Sequence, residues 1–246
     1  MPLKTVPFPS GNYLEKETQK NLILTILCDV ALLVIILIST PRLPTRIDVG
    51  DFDTSLALTA VFPTVGVYYY LKKYQNCRQG MKGEKRVRQF LESRLNDSYY
   101  LINDVEYVND RGSKENIDHI VLGPNGIFAI ETKDYRGKIT CKRGYWAVPF
   151  PFGRSPSSQA KGNAYWVKQA IDASRVLGNL KVWVDPIVVF SNPDVELETV
   201  DSDVEVVKLE NLADSITSFN RYSFSPDQLK LTVDGLLRKA RTQMNK

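Results

Sequence analysis

The 246-residue chain has one histidine and three cysteines. Cys28, Cys77 and Cys141 stand at unrelated spacings, with no CxxC and no Cys/His cluster. This excludes a disulfide framework and a zinc site of ordinary spacing, and it fits a reducing compartment. An excess of charge of one sign is lacking too: 32 Lys and Arg against 28 Asp and Glu leave a formal net charge of only +4. The overall balance therefore makes no case for a polyanionic partner, and local distribution has to decide. Internal repeats and low-complexity tracts are absent. What the chain does have is a 43% hydrophobic content, enough to core one ordinary domain beside an accessory segment.

Two long apolar runs stand near the start. LILTILCDVALLVIILI, Leu22 to Ile38, is broken by one acid, Asp29, and is just long enough with its flanks to cross a bilayer core. It is long for a signal-peptide h-region and ends in STPRLP without a small-x-small cleavage pattern, so an anchor is expected. SLALTAVFPTVGVYYYL, Ser55 to Leu71, is less apolar and holds Pro63 and Gly66, which membrane helices tolerate. The pair reads as a transmembrane helical hairpin over residues 21–74, between an N-terminal segment 1–20 and a soluble part 75–246. Lys4, Lys16 and Lys20 precede the first run, and Lys72, Lys73, Arg78, Lys82, Lys85, Arg86 and Arg88 follow the second. Only Arg42 and Arg46 lie between. The positive-inside rule then puts both termini and the soluble part in the cytoplasm, the Pro41 to Thr54 loop outside, and Tyr68, Tyr69 and Tyr70 at the cytoplasmic interface. Asp29 leaves two readings open: a functional or homo-oligomeric role between spans, and a neutral carboxyl bonded to Thr25 or Thr59.

Beyond Tyr74 the pattern is α/β. Val87, Phe90, Leu91 and Leu95 recur at helical spacing from Glu84. Residues 99–102, 117–122, 127–130, 138–141 and 145–148 read as strands of an antiparallel meander. Ser157 to Leu177 reads as a helix, Val182 to Phe190 as a strand buried on both faces, and Val204 to Leu209 as another strand. Ser225-Pro226-Asp227-Gln228 opens a last helix with an N-cap serine, a proline at the first position and a glutamine three on. The expected fold is a mixed central sheet flanked by helices.

In NIDHIVLGPNGIFAIETKD, Asn116 to Asp134, two strands flank a turn, yet ionisable residues stand where a core strand would carry Val or Ile. Glu131 and Lys133 share one face, and Thr132 points to the other. A two-residue Pro124-Asn125 turn sets Asp118 opposite Glu131; a bulge would shift the register by one. Facing carboxylates repel. Mg²⁺ or Mn²⁺ would offset this, since a hard dication takes carboxylate oxygens, waters and phosphate, and the Thr132 carbonyl offers one more oxygen. Lys133 beside such an ion would hold or deprotonate the attacking water, or balance charge developing on phosphorus. By strand alternation His119 points away from Asp118 and reads as structural.

From about Gly80 to Phe190 the chain resembles the nuclease-related domain (NERD) family of the PD-(D/E)xK restriction-endonuclease-like superfamily. The matching pieces are GMKGE (80–84), LINDV (101–105), NIDHIVLGPNGIFAIETKDYRG (116–137), SPSSQAKGNA (155–164) and DPIVVFSN (185–192). The resemblance implies a restriction-endonuclease-like α/β core with Asp118, Glu131 and Lys133 as the D…ExK set, Glu84 as a further acid near the metal, and Gln159 as a helix-borne polar contact. Taken alone, Glu84 also suits a first-turn acid favoured by the helix dipole. Likewise Gln159 and Asn163, four apart, also suit a surface polar pair. Arg136, Lys138, Lys142, Arg143 and Arg154 follow the catalytic strand among Tyr135, Tyr145 and Trp146, and with Lys161 they are the expected nucleic-acid contacts. For the basic stretch next to the membrane, anionic lipid headgroups serve equally well. The expected function is a membrane-anchored, Mg²⁺-dependent nuclease acting on DNA, with defence against foreign DNA suggested by location. The alternatives are a non-cleaving nucleic-acid-binding module and a signalling scaffold assembled through Asp29.

Overall fold

The computed structural model describes residues 2–7, 13–39, 54–109, 111–148, 154–178 and 180–244, without the side chains of 38, 39, 54–60, 243 and 244. In chain order the elements are β1 (Lys4–Val6), α1 (Tyr13–Ser39), α2 (Thr54–Arg94), β2 (Tyr100–Val108), β3 (Lys114–Gly123), β4 (Gly126–Lys133), β5 (Gly137–Lys142) and β6 (Tyr145–Ala147). Then follow α3 (Pro156–Ser174), β7 (Asp185–Phe190), β8 (Val195–Val200), β9 (Glu205–Lys208), a 3-10 turn at Leu209–Asn211, α4 (Leu212–Ser218) and α5 (Pro226–Met244). The chain forms two compact units: Leu14–Met81, and Met1–Tyr13 together with Lys82–Lys246.

The second unit is built on a six-stranded mixed sheet in the order β1-β2-β3-β4-β7-β9. Strands β2, β3 and β4 are antiparallel neighbours, while β7 runs parallel to β4 and β9 parallel to β7. Alternation sorts the side chains into two cores. Ile102, Ile120, Leu122 and Ile127 meet Val167 and Ile171 of α3 and Val233 and Leu236 of α5. On the other face Leu101, Val121, Phe128 and Ile187 meet Val87 and Leu91 of α2 and Leu212 and Ile216 of α4. Residues of β7 are buried toward both sides, as its apolar density predicts.

Several expectations are corrected. The antiparallel meander ends after β4: β5 and β6 leave for a separate three-stranded sheet, β6-β5-β8, in which β5 pairs parallel with β8. Strand β8 (VELETV) escaped the sequence reading because its alternating acids look like an exposed loop. Glu84 does not open a helix. It lies deep inside the 41-residue α2, so a first-turn dipole role is excluded. Within segment 1–20, β1 pairs in parallel with the start of β2.

In the Leu14–Met81 unit, α1 has the length and apolarity to cross a membrane, the property it shares with signal sequences. Among the described residues it alone passes that test, so the expected second span is not matched. The second run lies inside α2, which continues to Arg94, and the side chains of its first residues, 54–60, are outside those described. Ile23, Ile26, Leu27, Leu33 and Leu37 are each more than half exposed on α1. Asp29 is exposed as well, and the Thr25 hydroxyl donates instead to the Asn21 carbonyl at 2.8 Å. The loop 41–53 and the Thr59 side chain lie outside the described residues.

Where α2 crosses the ends of β4 and β7, a Cβ on Gly83 would lie 2.8 Å from Ser191 Oγ and 2.9 Å from Asp134 Cβ. The same junction is tied by Arg86 to Asp134 at 2.7 Å and by the Ser191 hydroxyl to Asp134 at 3.1 Å. Gly83→Ala is expected to destabilise the protein by about 1–3 kcal/mol, because overpacking outweighs the better helix propensity of alanine. A shift of the urea midpoint to lower concentration at unchanged slope checks it.

Candidate active site

The β3–β4 register runs from Gly123 opposite Gly126 to His119 opposite Ile130, as a two-residue turn requires. One step further sets Asp118 opposite Glu131. There the Asp118 side chain takes over from the backbone: the Thr132 N–H donates to Asp118 Oδ2 at 2.7 Å. On the other side of β3, the β2 register skips Asp104, between Asn103–His119 and Val105–Ile117. Asp104 has φ 55°, a left-handed conformation that is uncommon outside glycine, and its carboxylate is hydrogen-bonded by Asn116. The acids Asp104, Asp118 and Glu131 thus come from three adjacent strands.

Helix α3 supplies the facing side. Its start is fixed by Ser155, whose hydroxyl accepts the Ser158 N–H, and by Pro156 in the first turn. Gln159 and Asn163, one turn apart, both reach the cluster. Lys133 Nζ donates to Glu131 Oε1 at 2.7 Å and to Gln159 Oε1 at 2.8 Å. Gln159 Nε2 donates to the Arg154 carbonyl at 2.7 Å. Asn163 Nδ2 donates to Glu131 Oε2 at 3.0 Å, and its Oδ1 accepts the Tyr107 hydroxyl at 3.1 Å. Both oxygens of the buried Glu131 are therefore taken by donors that fix its rotamer.

The electrostatics follow from this crowding. Burial first, and then the Glu131 charge, hold the Asp118 carboxyl well above the usual carboxylate range. Glu84, aimed at the same group from α2, is pushed up to about 10 by burial, Asp118, Asp104 and Glu131. Asp104 is raised by burial as well. For Lys133, burial works against the charge, yet Glu131 and Asp118 raise its pKa overall, so it stands as an ammonium at neutral pH. Glu131, Asp118 and Glu84 all act on the Lys133 ammonium, and the raised carboxyls favour protons that a second positive charge would displace.

This bears on a metal. The converging donors are all oxygen atoms, the type a hard dication takes. The raised carboxyls show an excess of negative charge that such an ion would neutralise. Among the described residues no three His, Cys, Asp or Glu side chains are close enough to hold an ion together. The fit is therefore to a site of one or two carboxylates completed by water, with Asp118 and Glu131 nearest to that role.

Other expected residues lie elsewhere. Arg136, Lys138, Lys142 and Arg143 are exposed on or beside β5, outside the cluster, with Lys138 paired to Glu198 and Arg143 to Asp201. Lys161 pairs with Asp203 and lines a different cleft with Tyr165 and Trp183. His119 is buried and donates from Nδ1 to Asn103 Oδ1 at 2.7 Å, and burial lowers its pKa to about 3, so it is the packed residue expected. Asp104, Tyr107 and the role of Asn163 are not evident from the sequence. Their signals, LINDV and the i, i+4 spacing from Gln159, were present, but the neighbour of β3 was not knowable from spacing.

An uncharacterised protein of Bacillus anthracis is 38% identical to this chain over 69 residues, which is 28% of this chain and 32% of that protein. A structure of Pyrococcus furiosus SfsA in complex with Ca²⁺ is 16% identical and covers 64% of this chain and 52% of its own, at a TM-score of 0.27, too distant to carry an argument. The chain thus spans well under two thirds of either relative. Residues 79–191, a little under half of the chain and the stretch that holds every member of this cluster, match the family described as NERD, the nuclease-related domain.

Proposed function

We propose that this protein is a Mg²⁺- or Mn²⁺-dependent nuclease that hydrolyses phosphodiester bonds of DNA. The observation that carries the reading is the hydrogen-bonded Glu131–Lys133–Gln159 chain beside Asp118, inside a stretch that matches a nuclease-related family. Asp118 and Glu131, with Glu84 behind them and the Thr132 carbonyl nearby, would hold the cation, which as a Lewis acid supplies a nucleophilic hydroxide at neutral pH. Asn163 and Tyr107 keep Glu131 oriented. Gln159 and Glu131 keep the Lys133 ammonium in place, where it favours negative charge building on the phosphoryl oxygens. Its raised pKa supports charge stabilisation over proton abstraction. Incubating the full chain with DNA and RNA, single- and double-stranded, with Mg²⁺, Mn²⁺ or EDTA tests the reading. Metal-dependent cleavage supports it; tight, metal-indifferent binding without cleavage would replace it with a binding module.

Membrane anchoring belongs to the same proposal. The exposed apolar side chains of α1 suit lipid, and β1, which precedes α1, shares a sheet with β2, which follows α2. A chain that crosses at α1 must therefore cross back before β2, which supports a hairpin with both ends and the nuclease domain in the cytoplasm. A cysteine placed in residues 41–53 of a Cys-free variant is expected to react with an impermeant maleimide on intact cells, whereas one at position 245 is expected not to; the opposite pattern ends the topology. This location suits a role against incoming foreign DNA, which transformation efficiency with and without Lys133→Ala would read.

A further inference from the structure

Beside the cluster lies a cleft of ≈ 220 Å³ lined by Glu115, Asn116, Glu131, Arg154, Gln159 and Asn163. Every lining side chain is polar, and Arg154 is the cation among them. A phosphodiester entering here meets two carboxylates, and Lys133 is already bonded to one of them. One further positive group is needed to make the approach favourable.

Arg154 is positioned for that task. Its Nη1 donates to both oxygens of Glu115, at 2.7 and 2.8 Å, and its Nη2 lies 3.3 Å from the Ser158 carbonyl. The guanidinium lies against Gly162 of α3, where a Cβ would come within 2.7 Å of Nη2. Its own carbonyl holds Gln159, the partner of Lys133. Yet the ion pair with Glu115 is partly exposed, with side-chain exposures of 41% and 23%, so it contributes little to stability and is cheap to exchange. Only Nη1 holds the Glu115 carboxylate, and the same guanidinium N–H groups can donate to phosphate oxygens.

We propose that Arg154 is a substrate-binding residue that leaves Glu115 to hold a non-scissile phosphate of the nucleic-acid strand beside the catalytic cluster. The inference rests on the nuclease reading above and adds to it the place where the strand is gripped.

The test is binding of a fluorescent oligonucleotide to the full-length protein in EDTA across a KCl series, with cleavage kinetics in Mg²⁺ alongside. Arg154→Ala is expected to weaken binding about 10–100-fold. It should also reduce the slope of log K against log salt by about 0.7–0.9, one phosphate contact. Arg154→Lys should fall between, keeping the charge without the fork. Gly162→Ala, which displaces the guanidinium without removing its charge, should weaken binding in the same direction. Glu115→Gln frees Arg154 and should bind as tightly as wild type or tighter. Arg154→Ala with wild-type affinity and salt slope, or Glu115→Gln with the same loss as Arg154→Ala, overturns the inference and reduces the pair to a structural tie. A wild-type protein that neither binds nor cuts nucleic acid ends the nuclease reading as well; one that does both while Arg154→Ala is unchanged ends this inference alone.

Discussion

Lys133→Ala is expected to lose about 10²–10³-fold in cleavage rate while keeping the fold, because it removes one preorganised positive group from where charge develops. The magnitude rests on placement. The Lys133 side chain is only 14% exposed and its ammonium is held by two acceptors at 2.7 and 2.8 Å, which fixes its position. In so dry a setting a point charge acts more strongly than in water. Lys133→Arg should not rescue the rate, since a planar fork cannot occupy the ammonium position between Glu131 and Gln159. Gln159→Ala, which leaves the charge and removes one tether, should cost less than either. Single-turnover kinetics with saturating Mg²⁺ separate these effects from substrate binding. Wild-type rates in Lys133→Ala, with circular dichroism unchanged, would remove Lys133 from the reaction and with it the reason for reading the cluster as a catalyst.

Glu84→Gln is expected to make the metal-free protein more stable at pH 8 and to abolish most of its stabilisation by divalent cations. The sign follows from linkage. Glu84 has its folded pKa raised to about 10, far above the ordinary value of an unfolded chain, so its contribution to stability is fully present below about pH 4.5 and is lost as pH rises toward 10. In chelator, therefore, the wild-type melting temperature should fall between pH 5 and pH 8, and Glu84→Gln should flatten that fall. Replacing a crowded buried carboxyl by its neutral isostere gains about 1–3 kcal/mol, or about 3–10 °C for a chain of this size. Adding Mg²⁺ or Mn²⁺ at about a hundred times its Kd should return about 2.7 kcal/mol to the wild type and much less to Glu84→Gln. A flat wild-type pH profile in EDTA, or equal cation stabilisation of both proteins, would show that the acids do not share one site.

Much of the site is legible before any coordinates. Strand alternation put Glu131 and Lys133 on one face, as their 2.7 Å contact shows, and the β3–β4 register runs to His119–Ile130, one step short of Asp118 and Glu131. The family pieces GMKGE and SPSSQAKGNA pointed to Glu84 and Gln159, and both converge on the cluster, though Glu84 does so from the middle of a long helix. Asn163 looked like half of a surface pair and is instead a buried clamp on Glu131, because a sequence does not say which face of a helix meets a sheet. Asp104 was equally hidden, since its approach to Asp118 depends on β2 being the neighbour of β3 and on one residue turning left-handed. The basic residues of β5 were grouped with the site by nearness in sequence, but the chain turns away after Asp134 into a second sheet.

The sequence by itself determined the α/β class, the hairpin with its ionisable residues and the apolar run of α1, because each depends on periodicity or spacing within a few tens of residues; the nuclease-related pieces were legible by resemblance. Tertiary structure alone decided that Asp104 and Asn163 join the cluster, that β1 returns to the sheet ahead of β2, that β5 pairs with β8, and that Arg154 rests against Gly162. Those outcomes arise from contacts between segments far apart in the chain. Local patterns set which face of an element is apolar, but only packing of the whole core selects the partner that face meets.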